Sequence, residues 1–517
     1  MLLRAARLRS TRNRPAPEIP APLFGAPDRL RGLYVGLVIT LIAVATRLWG
    51  LRGPTDQGTP VFDEKHYVPQ GWQVLTGGNW IEDNPGYGLV VHPPVGKWFI
   101  AIGEWMFGYS PLGWRIMSAF AGVAIVVMIY CAARRITRST LIGAIAGLFS
   151  ICDGVLFVQS RMGMLDIFQC LFVVGAFTAV IADRDQVRAR MHNVYLSGRI
   201  NDSAFGPRLG FRWYRFTAGV MIGLGCATKW SGIYYAFFFI ALTLGFDIAA
   251  RRAYHVRRPW LGTVVRDAFP CGASLLAMPI AIYFATYLPW LRSETSVYRY
   301  QVGNTIGTGG TWSWVPGAWR SLWFYESGVL KFHAGLTNSA GNHHPWESKP
   351  WTWPMSLRPM LYAIANGPDK CGGAQCVRAQ MLIGSPAMWW LAIPMLCWGL
   401  WSWLVRRDWR YAAVVTGYAA GFLPWFIELD RQMYFFYATV LAPFLAMGLA
   451  LCCGDILAAT RCRSDRPHPE RAALGVLLVA IYVGLVVTNF VWLWPILIAS
   501  PISPEQWHQQ IWLPSWG

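Results

Sequence analysis

Leu33–Trp49 reads LYVGLVITLIAVATRLW, an apolar run long enough to cross a bilayer as one helix. The residues before it, 1–31, carry Arg4, Arg7, Arg9, Arg12, Arg14, Arg29 and Arg31 among several prolines and have no apolar core, which reads as a disordered basic cytoplasmic tail. No small-residue cleavage site follows the run, so it reads as a retained signal anchor with its N-terminus inside. Further apolar runs lie near 113–133, 139–158, 164–182, 214–229, 231–249, 268–290, 385–405, 410–428, 433–453 and 472–495. With 55% hydrophobic and 14% charged residues among 517, the expectation is an all-α polytopic membrane protein. It would have about eleven spans, with the N-terminus inside and the C-terminus outside.

A formal net charge of +19 raises nucleic acid as a partner, so the placement of the charge decides. The excess is almost all Arg in short segments between apolar runs, such as Arg134, Arg135 and Arg138, or Arg251, Arg252, Arg257 and Arg258. Such clusters belong on the inner membrane surface, which argues against nucleic acid. The expected outer side differs: Asp63, Glu64, Arg115, Arg161, Asp166, Lys229, Asp430 and Arg431 mix signs at span ends. An Arg lattice inside and mixed charges outside is the pattern of an outer-face site. A transporter would show inverted repeats and charges at mid-bilayer depth, and the sequence has neither.

The first outer segment, 51–112, holds two polar knots, Val61-Phe62-Asp63-Glu64-Lys65-His66-Tyr67 and His92-Pro93-Pro94-Val95-Gly96-Lys97. The apolar stretch Trp98–Phe107 between knot and span is short, and reads as a helix lying at the interface. The second outer segment, 291–384, is rich in Trp, Gly and Pro, and residues 500–517 form an outer C-terminal tail. A carboxylate at a membrane surface can take a proton from a hydroxyl, while Lys229 and Arg431 can hold phosphate oxygens. A phosphate-carrying lipid is the natural substrate.

Six motifs in order resemble a known family. Phe62-Asp63-Glu64, His92 to Lys97, Arg115 after Leu112-Gly113-Trp114, Arg161 to Asp166, Lys229-Trp230-Ser231-Gly232 and His343 to Pro354 are similar to the dolichyl-phosphate-mannose protein mannosyltransferases, in particular the actinobacterial members. The match runs from about Leu33 over nearly the whole chain. The resemblance implies the GT-C glycosyltransferase fold over 32–499 and an inverting transfer of mannose from a polyprenyl phosphate to Ser or Thr hydroxyls of exported proteins. It implies Asp63 as catalytic base, Glu64 as a positioning group, and Arg115 and Lys229 at the donor phosphate; Arg431 is our own addition to that phosphate group. His92, Arg161 and Asp166 are expected to support the site. The segment 291–384 is too short for the MIR domain of eukaryotic relatives, so the acceptor surface is expected on His333, His343, His344, Trp346, Glu347 and Trp351.

Each reading has a plainer competitor. The tryptophans also suit an interfacial belt, and Arg161 with Asp166 suits a salt bridge over a short turn. The three histidines lack an acidic ligand at a known spacing, so they favour contacts over a metal, and whether a divalent ion assists is left open. A related transferase acting on a glycan or lipid would share fold and donor. Cys371 and Cys376 flank a Gly-rich turn in an outer segment and are expected to form a disulfide. Lys occurs only at 65, 97, 229, 331, 349 and 370 against abundant Arg, a bias that suits a bacterial plasma membrane. Reaching a hydroxyl on an unfolded exported chain implies work beside the Sec translocon.

Overall fold

The computed structural model describes residues 19–77, 91–371, 374–460 and 469–517. Residues 1–18 of the expected tail lie outside these. Residues 19–28 pack on the helices: the Ile19 amide donates to Tyr195 Oη at 3.3 Å, and Asp28 accepts from Thr140 at 2.9 Å and Arg134 at 3.2 Å. The helices are α1 (Arg29–Leu48), α2 (Glu64–Thr76), α3 (Val95–Phe107), α4 (Pro111–Thr137), α5 (Thr140–Cys152), α6 (Gly154–Gln159), α7 (Leu165–Leu196), α8 (Trp213–Cys226) and α9 (Ile233–Ala253). Then come α10 (Pro259–Thr286), α11 (Gly317–Gly335), the strands β1 (Met360–Cys371) and β2 (Ala374–Leu382), α12 (Pro386–Leu404), α13 (Trp409–Phe422), α14 (Phe435–Thr460), α15 (Pro469–Leu497) and α16 (Pro504–Gln510).

All eleven expected segments contain a helix, but they are not alike. Eight helices among the described residues, α1, α4, α7, α9, α10, α12, α14 and α15, are long and apolar enough to cross a bilayer. The remaining segments give α5, α8 and α13, of 13, 14 and 14 residues. Polar or Pro-containing turns shorten them. Asp153 ends α5 and starts α6 by accepting from the Leu156 amide at 2.8 Å, an N-cap that an uninterrupted helix has no use for. Lys229 follows α8, and Pro424 lies in the single tight turn after α13. Burial orders the layers: 83% of the most apolar stretch of α7 and 78% of that of α14 are buried, against 17% for α1 and α10. The first pair forms the centre, and the second presents apolar side chains outward as lipid-facing helices do.

The all-α expectation is corrected in one place. Within 291–384, β1 and β2 form an antiparallel hairpin, with Met360 opposite Leu382 and Leu361 opposite Met381. Its first residues alternate: Met360 and Tyr362 are buried, whereas Leu361 and Ala363 are only partly so. That two-residue period is the strand signal, and the surrounding Trp, Gly and Pro residues mask it. Cys371 and Cys376 are disulfide-bonded across its end. The C-terminal residues pack here too, since Ile502 pairs with Val377 and the buried Trp516 donates to the Ser356 carbonyl at 3.1 Å.

Candidate active site

The Asp63-Glu64 pair begins α2, and its two carboxylates have opposite surroundings. Glu64 is fully buried and bidentate to Arg115, with Oε1 accepting from Nε at 2.7 Å and Oε2 from Nη2 at 2.6 Å. It also accepts from the amides of Gly163 at 2.7 Å and Val61 at 3.2 Å. Arg115 donates besides to the carbonyls of Pro54 at 2.7 Å and Leu51 at 3.4 Å. Paired and hydrogen-bonded this completely, the ion pair can persist in a dry interior, and it ties the 51–64 loop to α4. Glu64 and Arg115 therefore brace the site from behind; neither lines the cavity that Asp63 faces, although the resemblance puts Arg115 at the donor phosphate.

Asp63 is half-buried, and among the described residues no group donates to its carboxylate. It precedes the first helical residue but does not cap the helix. Phe62 has φ +51, a left-handed conformation that costs an L-residue energy and gathers at functional sites. Its ring is held by stacking on Tyr362 of the hairpin at 4.5 Å and edge-on against Phe436 at 5.9 Å. This wedge turns Asp63 toward a cavity of about 390 Å³, lined also by Tyr67, His92, Asp166, Gln169, Lys229, Trp230, His333, Trp425, Arg431, Tyr434 and Tyr437. Burial pushes the Asp63 carboxyl up to about 6; Lys229 opposes that rise and Asp166 adds to it.

Lys229 donates to both oxygens of Asp166, at 2.9 and 3.0 Å, and lies 5.4 and 5.5 Å from the ring centres of Phe436 and Tyr437. Its ammonium is thus fixed in place at the cavity wall. Arg431 donates to the carbonyl of His333 at 3.3 Å and lies 3.3 Å from its Nδ1, while its Nε is buried without a partner. His333 Nε2 meets the Val91 carbonyl at 3.3 Å, and the His92 ring stands 5.6 Å from the His333 ring. Burial, with Lys229 and Arg431 nearby, holds His92 well below the ordinary imidazole value and brings His333 to about 4. Both rings are therefore neutral at pH 7, and the charged wall is two carboxylates against two cations.

The remaining expectations divide. Arg161 does not meet Asp166; it donates to the carbonyls of Arg47 at 2.9 Å and Gly50 at 3.0 Å, closing the end of α1, so the competing reading of a salt bridge between the two is not met and Asp166 pairs with Lys229 instead. The loop 337–349 is stapled by Asn338 and Lys349. Asn338 donates to Glu347 at 2.8 and 3.0 Å and sits 3.2 Å from His343, while Lys349 reaches the Leu429 and Arg431 carbonyls at 3.0 and 2.9 Å. His343 and Glu347 thus shape the turn that carries Arg431. His344 packs edge-on against Tyr434 at 5.4 Å, the Arg358 guanidinium lies 4.8 Å from the Trp346 ring, and Trp351 is exposed. Of the expected acceptor surface, only His333 lines the cavity. Among the described residues no three His, Cys, Asp or Glu side chains are placed to hold a metal ion.

Sequence reasoning missed Tyr67, Gln169, Tyr434 and Tyr437. Helical spacing points to two of them, since Tyr67 is one turn beyond Asp63 and Gln169 one turn beyond Asp166. A second cavity of about 480 Å³ shares Trp230 and Ile233 with the first and is walled by Ile280, Tyr283, Phe284, Trp319 and Trp323. An unpaired carboxylate, two fixed cations and an apolar annex together suit attack by a hydroxyl on an electrophile carried by a phosphorylated lipid.

Residues 91–190 match the family model described as dolichyl-phosphate-mannose-protein mannosyltransferase, and residues 318–516 match the C-terminal four TMM region of protein-O-mannosyltransferase. The polyprenol-phosphate-mannose–protein mannosyltransferase of Mycobacterium tuberculosis is 57% identical over 507 residues, covering 97% of this chain and 95% of that protein. The one of Corynebacterium glutamicum is 43% identical over 491 residues, 93% of each. The S. cerevisiae protein O-mannosyltransferase Pmt1-Pmt2 complex, solved with its sugar donor bound, superposes with a TM-score of 0.69 at 13% identity, covering 98% of this chain and 96% of that one. An Archaeoglobus fulgidus oligosaccharyltransferase superposes at 0.53 with 16% identity over 94% of this chain and 57% of its own.

Proposed function

Because this chain belongs to the dolichyl-phosphate-mannose–protein mannosyltransferase family, we propose that it moves mannose from a polyprenyl-phosphate-mannose to Ser or Thr hydroxyls of proteins. The observation that carries the mechanism is the Asp63 carboxylate, unpaired and facing a cavity whose other wall holds Lys229 and Arg431. Asp63 accepts the hydroxyl proton as the acceptor oxygen bonds to the sugar's anomeric carbon. The bond from that carbon to the phosphate oxygen breaks, and the phosphate leaves with the electron pair beside the two cations. One displacement inverts the anomeric centre. Glu64 cannot serve as a second carboxylate on the opposite face of the sugar, as a hydrolase would need, because it is bound to Arg115.

The lipid tail leaves through the apolar cavity that shares Trp230. The orientation we favour has the N-terminus inside, eleven crossings and the cavity on the outer face of a bacterial plasma membrane, beside the translocon that delivers unfolded acceptors. It is supported by the Arg-rich segments at the helix ends remote from Asp63, as the positive-inside rule would have them.

The test is transfer of radiolabelled mannose from polyprenyl-phosphate-mannose to a Ser/Thr-rich peptide, in membranes carrying the native chain or Asp63→Ala. The expected result is native transfer that the variant, equally inserted and abundant, lacks. Label entering a glycan or lipid instead of peptide moves the acceptor to another class, and undiminished transfer by Asp63→Ala removes the assigned base.

A further inference from the structure

Gln169 lies one turn beyond Asp166 on α7, is 4% exposed and lines the same cavity as Asp63. Its amide nitrogen is committed. Nε2 donates to Ser231 Oγ at 2.8 Å and to the Lys229 carbonyl at 3.3 Å. A carbonyl can only accept, so the Lys229 oxygen fixes which end of the amide faces it. Oε1 is then the free end. No described residue donates to it, and it is not among the side-chain atoms buried without a partner, so it is reached from the cavity.

Three other groups on the polar wall are taken up by the proposed reaction. Lys229 and Arg431 are donors suited to phosphate, and Asp63 receives the acceptor's proton. A phosphodiester monoanion has no hydrogen to give Oε1. What remains of a glycosyl phosphate in such a cavity is the sugar ring, whose hydroxyls donate. A carbonyl held in one orientation by two bonds reads a hydroxyl's position with little freedom to adapt.

We propose that Gln169 Oε1 accepts a hydrogen bond from one ring hydroxyl of the donor hexose and so helps to determine which sugar is transferred. The inference rests on the glycosyl-phosphate reading of the cavity. It makes Gln169 a specificity residue, distinct from a brace for the Lys229 turn.

The experiment measures kcat/KM in full-length protein for polyprenyl-phosphate-mannose and for donors carrying 2-, 3-, 4- or 6-deoxymannose, with the native chain, Gln169→Leu and Gln169→Asn. The native chain should lose about tenfold on one deoxy donor, the size expected when a buried acceptor goes unpaired. Gln169→Leu should lose about as much on the parent donor and nothing further on that same analogue, while the other analogues keep the native ratios. Gln169→Asn, which draws the carbonyl back by one methylene, should repeat the pattern and serves if the leucine variant fails to accumulate. Variant-to-native ratios equal across all five donors would overturn the proposal and leave Gln169 a structural brace. Absence of native transfer from the parent donor would instead overturn the mannosyl reading beneath it.

Discussion

The two ends of α7, α8 and α9 both bury charge, and they do so to opposite effect. At one end are Asp63, Asp166, Lys229 and Arg431 around a cavity. At the other, Arg212 donates to Asp183 at 2.8 Å and to Asp247 at 2.7 Å, and Arg251 donates to Asp267 at 2.7 Å and to the Phe205 carbonyl at 2.8 Å. Asp166 and Asp183 lie on the same helix, about 25 Å apart at 1.5 Å per residue. The expectation of an Arg lattice at one end and mixed signs at the other is corrected, because Asp183, Asp247 and Asp267 mix the signs at the Arg-rich end too. What separates a site from a staple is satisfaction. Every carboxylate of the Arg212 network has a guanidinium partner, whereas the Asp63 carboxylate has none and opens onto space.

The widest test of that contrast compares one substitution at each end. Asp63→Asn should lower transfer by a hundredfold or more, on the order expected for removing a general base, without lowering the melting temperature in detergent, because no partner is abandoned. Arg212→Met should do the reverse to stability. It strips Asp183 and Asp247 of their cation, at a cost of about 3–5 kcal/mol for breaking a buried pair, read as reduced accumulation and a lower melting temperature. If Asp63→Asn unfolds the protein while Arg212→Met leaves it intact, the distinction between the two ends fails.

A smaller effect is expected with pH. Asp63 binds its proton with a pKa of about 6 in the folded chain against 3.8 for the ordinary group. Only the deprotonated form can take the acceptor's proton, so kcat/KM should rise with pH through about 6 and then level, falling about fivefold between pH 6 and 5. Stability runs the other way. The folded chain holds this proton more tightly than the unfolded one, so its contribution falls as pH rises from about 4 to about 6 and stays lost above. Asp63→Asn should flatten that part of the stability profile, and a native rate that declines from pH 5 to 7 would contradict the assignment.

The smallest effect should come from the hairpin's end. Replacing Cys371 and Cys376 together by Ser opens a short closed loop, worth at most about 2 kcal/mol by loop-closure entropy. The hairpin touches the site through Tyr362 on Phe62, far along β1 from the disulfide, so melting should drop by a few degrees while transfer stays near native. Transfer lost in step with the disulfide would mean that the whole hairpin, and not Tyr362 alone, holds Asp63.

Much of this was legible in the chain itself. Apolar runs bounded by Arg clusters determine helices and a membrane, because a bilayer leaves few other ways to satisfy the backbone. Adjacent carboxylates in a chain that spends acid sparingly mark where chemistry belongs, and Lys229 and Arg431 fall in the same cavity as Asp63. Helix length was less legible, because a hydrophobic run does not reveal the cap at Asp153 that divides it. Apart from the family resemblance, the residue pattern could not tell Asp63 from Glu64. Neighbours on a chain leave a helix start in different directions, and which one meets Arg115, 51 residues from Glu64, depends on how α2 packs against α4. The tertiary structure alone decided that Glu64 is spent on that partner while Asp63 faces the cavity unpaired, since pairing is a property of three-dimensional neighbours and not of sequence order.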